Sequence, residues 1–155
     1  MANKHTHIID TLTGVLDDET TFNVVSQFNT SASYDESKTL IYVNMIADST
    51  EELLLENGAT EGKRVAECGI YAEWKSELDA SMAEEHGDIM EKIEYRLEGL
   101  QTTIRGSGDA GQTTSLYKTI ILGVKMRECS GIVDDQGSVG KLLYQVHVIY
   151  QQVRQ

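Results

Sequence analysis

The chain has 155 residues, 40% of them apolar and 25% charged, with no proline and a net charge of -12 from 13 basic and 25 acidic residues. That length supports one domain over 1–155 with a core of its own, which excludes disorder as the default. The acidity excludes sequence-independent grip on a nucleic-acid backbone, because each phosphate contact calls for a lysine or arginine. No apolar run approaches the roughly 18–20 residues of a membrane helix, and the opening Met1 to Asp10 is not a signal peptide.

The charge is uneven. Residues 1–80 carry 15 acids and 5 bases, whereas 81–155 carry 10 acids and 8 bases. Such asymmetry suits a protein whose two faces meet different surroundings. Cys68 and Cys129 stand far apart in the sequence with no ligand cluster nearby, which points to reduced small hydrophobes and away from a disulfide scaffold.

Taken in chain order, Ile8, Leu12 and Val15 or Leu16 recur at three- and four-residue steps and predict a short helix over Lys4 to Leu16. Asp17, Asp18 and Glu19 oppose its negative end and stop it. Phe22 to Phe28 alternates weakly as a strand. Thr39 to Ala47 is rich in strand formers on both faces and reads as an interior strand, with Met45 and Ala47 on the face of Ile41 and Val43. Asp48 to Arg64 follows as a polar arm around Leu53, Leu54 and Leu55, either a helical turn or a hairpin.

Ala66, Cys68, Ile70, Ala72 and Trp74 alternate with Glu67, Gly69, Tyr71 and Glu73, the pattern of a half-buried strand with Trp74 closing one end of the core. The period then switches to that of a helix. Ser76 and Asp79 form a weak capping box, and Leu78, Met82, His86, Ile89, Ile93, Leu97 and Leu100 make one stripe. Glu91, Tyr95, Lys92 and Arg96 fall outside it and should be wet, and Gly87 marks either close packing or a tolerated cost.

Gln101 to Ser115 contains Gly106, Gly108 and Gly111 and is expected to be a mobile loop. After it Leu116, Ile120, Leu122, Val124 and Met126 alternate with Tyr117, Thr119, Gly123, Lys125 and Arg127. Beyond the turn region Asp134–Gly137 comes the last strand, Lys141 to Tyr150. Two long strands joined by a polar loop are most economically a hairpin. The order describes an α+β fold: a mainly antiparallel sheet packed against a short N-terminal helix and one long helix, with a protruding arm.

Chemistry finds little support in this pattern. Gly106 to Thr113 has the spacing of a phosphate-binding loop, but Gln112 stands where the lysine belongs, and the loop follows a helix and precedes a strand, the reverse of what the motif needs. His86 interrupts an apolar stripe without zinc-helix spacing and is read as a packed, neutral histidine bonded to a neighbour. His5 and His7 are read as a frayed helix start, and no serine or cysteine motif accompanies His147. Adjacent acidic pairs do not converge on one ion. No catalytic residue, cofactor or metal is assigned, and the chain is read as a non-enzyme.

What remains is apolar surface. Leu40, Tyr42 and Ile46 on one strand, with Leu143 and Ile149 on another, would form a second sheet face that one long helix does not screen, and a subunit interface is expected there. The interface candidates are therefore Leu53, Leu54, Leu55, Tyr42, Ile46, Leu143 and Ile149.

The layout resembles the tail terminator proteins of long-tailed bacteriophages. The resemblance rests on the helix Lys4 to Leu16, the strand Thr39 to Ala47, the arm after it, and the strand Val65 to Trp74 running into Ser76-Glu77-Leu78-Asp79 and the long helix. The glycine-bearing loop and the strands Leu116 to Cys129 and Lys141 to Tyr150 complete it. It implies a structural virion protein: a homohexameric ring that caps the tail tube, stops its polymerisation and offers its other face to head-completion proteins. DNA would pass through without specific binding. The implied location is the head-proximal end of the tail, after assembly in the host cytoplasm. The alternatives are a head-completion (head–tail connector) protein, which would bind the portal side, and a small acidic ligand-binding domain, which would stay monomeric around a pocket.

Overall fold

The computed structural model describes residues 3–17, 21–28, 38–52, 63–75, 82–107, 112–114, 116–133 and 139–154. Its elements are α1 (Lys4–Leu16), β1 (Phe22–Ser26), β2 (Thr39–Glu52), β3 (Lys63–Lys75), α2 (Met82–Ser107), β4 (Gln112–Thr114), β5 (Tyr117–Val133) and β6 (Val139–Arg154). The strands form one sheet in the order β1-β2-β3-β6-β5-β4. Only the β1–β2 pair is parallel; β2–β3, β3–β6, β6–β5 and β5–β4 are antiparallel. This is the α+β architecture expected from the sequence.

The helices lie on one face. Ile8, Ile9, Leu12 and Leu16 from α1, with Ile93 and Leu97 from α2, close onto Ile41, Val43, Ala66, Cys68, Ile70, Val146 and Val148 of the sheet. Alternation in β3 and β6 is kept throughout: Ala66 to Trp74 and Leu142 to Tyr150 face the core at every second position. Trp74 closes one end as expected and is 6% exposed. It lies directly over Gly140, its partner across β3 and β6; a Cβ there would fall 2.2 Å from the indole. Cys68 is buried and Cys129 half-buried, both as free thiols; burial pushes the Cys68 thiol up to about 12.

Several expectations are corrected. The segment Gln101 to Ser115 is not a loop throughout: α2 continues to Ser107, and β4 occupies Gln112–Thr114. The stripe goes one step further than read, since Ile104 follows Leu100 by four residues and is buried. Thr102 and Thr103 bond back to the carbonyls of Glu98 and Gly99, so their hydroxyls do not interrupt the helix.

The faces of β5 also differ from the simple alternation. Thr119 and Ile121 are buried, while Leu116 and Leu122 are 71% and 37% exposed. A β-bulge at Leu122 and another at Arg127 each shift the register by one residue, so Val124 and Met126 pack toward the core although they differ in parity from Ile121, and the second shift returns Cys129 to the parity of Ile121. A third bulge at Ile46 turns Ala47 outward and Asp48 inward, reversing the reading for Ala47.

Lys92 and Arg96 are not simply wet. Lys92 donates to Thr21 Oγ1 at 2.7 Å and lies 5.5 Å from the Phe22 ring, and Arg96 reaches the Val15 carbonyl at 3.4 Å. The exposed residues of that group are Tyr95 and Glu91. Gly87 does not mark close packing: a methyl there would meet no atom within 4 Å. The capping residues Ser76 and Asp79, and Leu78, lie outside the described residues.

Candidate functional site: the sheet face opposite the helices

Each strand alternates, so the face opposite the helices is fixed by the same register that builds the core. One row across it runs Val25–Tyr42–Tyr71–Leu143–Ser130 over five adjacent strands. Next to it stand Asn44, Gly69 and Gln145. Gly69 carries no side chain, and Ile46 and Leu143 close over the gap. A Cβ on Gly69 would lie 3.2 Å from Ile46 Cδ1, 3.4 Å from Leu143 Cδ1 and 2.8 Å from Asn44 Oδ1. Further along, Ile149 is flanked by Val65 and Gly123 in the ladder.

Four of the interface candidates therefore share this face: Tyr42, Leu143 and Ile149 are half-buried, and Ile46 is 49% exposed. Ile46 and Leu143 meet over Gly69. Leu53, Leu54 and Leu55 lie outside the described residues. Charged positions lie between the apolar ones: in the ladder Glu73 stands opposite Lys141, and His147 stands between Glu67 and Lys125. Tyr71 donates to Glu73 at 3.2 Å, and burial, with the Glu73 charge beside it, raises the phenol. Apolar islands among polar and charged positions of both signs are the composition of a protein–protein interface.

A second constellation was not legible in the sequence. Asp48, at the base of the β2–β3 hairpin, accepts from Tyr150 at 2.6 and 2.8 Å, from Lys4 at 2.9 Å and from His5 at 2.9 Å. Burial pushes its carboxyl up, but the bonds from Tyr150, His5 and Lys4 outweigh that and hold it below its ordinary value. Burial and the carboxylate raise the Tyr150 phenol in turn. The start of α1 is thus clamped, not frayed: Asn3 also caps the Thr6 N–H at 2.9 Å. With donors from α1 and β6 filling both oxygens, Asp48 acts as a fastener between helix and sheet, not as a free base.

His86 packs against Trp74 with ring centroids 6.1 Å apart, and its buried Nε2 has no hydrogen-bond partner among the described residues. Glu85, one residue before it, instead takes the Trp74 indole N–H at 3.2 Å. Among the described residues no three His, Cys, Asp or Glu side chains converge as a metal site, and no helix is long and apolar enough to cross a membrane.

No family model and no curated protein matches the chain. Among solved structures it is similar to a chain from the virion of a native gene transfer agent particle, at 7% identity and a TM-score of 0.42, over 90% of this chain and 84% of that one.

Proposed function

We propose that this chain is a structural virion protein of the tail-terminator kind: a subunit of a closed ring that caps a tail tube, stops its growth and presents its other side to head-completion proteins. The observation that carries the reading is the one-sided packing of the sheet. Both helices cover one face, and the opposite face holds Tyr42, Ile46, Leu143 and Ile149 with no described element over them. A face of this kind is completed by neighbouring copies.

Catalysis has no part in this reading. The carboxylate with the most built surroundings, Asp48, is saturated by internal donors. The acidic chain would repel passing DNA rather than hold it. The test is to add the purified protein to polymerising tail-tube subunits and image the products. Tubes of limited length with extra density at one end are expected. Unaltered tube growth with no bound protein would refute the reading, and density on portal vertices of filled heads would transfer the chain to the head-completion class.

A further inference from the structure

The wet side of α2 is as regular as its core side. Glu84, Asp88, Glu91, Tyr95, Glu98 and Thr102 follow one another at steps of four and three and are all exposed, on the side of the helix turned away from Ile89, Ile93 and Leu97. Tyr95, in the middle of the row, is 78% exposed. Other charged side chains of the helix are engaged within the domain: Glu85 takes the Trp74 indole N–H, Lys92 reaches Thr21, Glu94 accepts from Tyr144, and Arg96 reaches the Val15 carbonyl. Arg105, in the last turn, is exposed. The stripe is thus a row of carboxylates around a phenol, with one guanidinium near its end.

We infer that this stripe covers the outer sheet face of a second copy of the chain, with Tyr95 as its anchor. The inference rests on the ring reading above and names the element that completes the sheet. Charge decides against the other seats. A row of carboxylates repels its own counterpart, so two α2 helices do not pair through it, and the exposed Asp10 and Asp17 make α1 no better. The sheet face has the reverse balance. Its acids are Glu67, Glu73 and Glu128, and its bases are Lys75, Lys125 and Lys141, with Lys118 beside β4 and Arg127 in the bulge next to Glu128. In a chain of net charge -12, these described positions carry no acidic excess.

Dimensions agree with this seat. From Glu84 to Thr102 the stripe rises about 27 Å, while the 13 residues of β3 run about 43 Å, so the helix can lie along the strands with both ends on the sheet. Tyr95 then stands over the row in which Tyr42, Tyr71 and Leu143 are adjacent. A tyrosine in the centre of a desolvated patch is among the side chains that most often anchor an interface. The stripe and the sheet face lie on opposite sides of the protomer, because α2 packs on the inner face with the stripe outward. Their contact is heterologous, each copy giving its helix to one neighbour and receiving that of another, the type from which rings close.

The test places the photocrosslinker p-benzoylphenylalanine at position 95 of the full chain, mixes it with isotope-labelled wild type, alone and on tail tubes, and maps the crosslinks by mass spectrometry. Crosslinks from position 95 of one copy to 42–46, 69–73 or 141–147 of the other are expected. In parallel, Tyr95→Ala should weaken self-association roughly tenfold or more with helix and sheet signal unchanged, and the double change Glu91→Lys and Glu98→Lys should weaken it as well. Assembly in which position 95 crosslinks only within its own copy, to a helix of the neighbour or to nothing, or which either variant leaves as tight as before, would overturn this contact while leaving the ring reading intact. Absence of any assembly, alone or on tubes, would remove both.

Discussion

Asp48 shows what a single residue can contribute and why the sequence hides it. In the sequence it is only the first residue of the polar arm, but the bulge at Ile46 shifts the parity and aims it inward at Tyr150, Lys4 and His5. No residue type announces that bulge. Removing the charge should leave partners unmet in a part-buried site, so Asp48→Asn is expected to destabilise the protein by about 1–3 kcal/mol at neutral pH. Because the folded carboxyl is held below its unfolded value, its stabilisation is complete above about pH 4 and drains as pH falls through the folded value. Urea midpoints of wild type and variant should therefore converge between pH 7 and pH 3; a constant gap would contradict the clamp. Two glycines give opposite expectations at the same scale. Gly87 sits in a helix with open space around it, so Gly87→Ala should stabilise by about 0.5–1 kcal/mol. Gly140→Ala would drive a methyl into Trp74 and should cost about 1–3 kcal/mol or more. Thermal unfolding of both variants checks the pair.

Among the elements, α1, β3 and β6 were legible because their apolar periods run unbroken from end to end. The long helix was legible in its stripe but not in its length: Gly106 and the threonines before it look like loop chemistry, and the packing of Ile104 overrides them. For β5 the strand was legible and its faces were not, since each bulge reverses the meaning of odd and even. The bulge at Leu122 is held from the helix side, where Gln101 Oε1 accepts the Val124 N–H at 2.6 Å and the Gln101 amide covers Gly123. An equivalent bond, from the Met45 N–H to Gln27 Oε1 at 2.6 Å, sits at the bulge of β2. Gln101→Leu should orphan the Val124 amide and cost about 1–3 kcal/mol. Denaturant titration, with hydrogen exchange at Val124, measures it, and an unprotected but equally stable variant would show that water replaces the glutamine.

At the scale of the molecule, a six-stranded sheet with both helices on one side has an opposite, amphipathic face that no described element covers. The residues of that face were legible individually, because β2 and β6 carry apolar side chains at both parities. That Ile46 and Leu143 both flank Gly69 was not, since it depends on which strands become neighbours. Assembly is the central claim, and sedimentation of the full chain across a wide concentration range, alone and with tail tubes, tests it most directly. The account predicts a closed species several times the 17.2 kDa protomer, or its appearance on tubes, with Ile46→Lys shifting the protein toward protomers without loss of helix or sheet signal. A protomer-sized boundary under every condition, unchanged by Ile46→Lys, would contradict it.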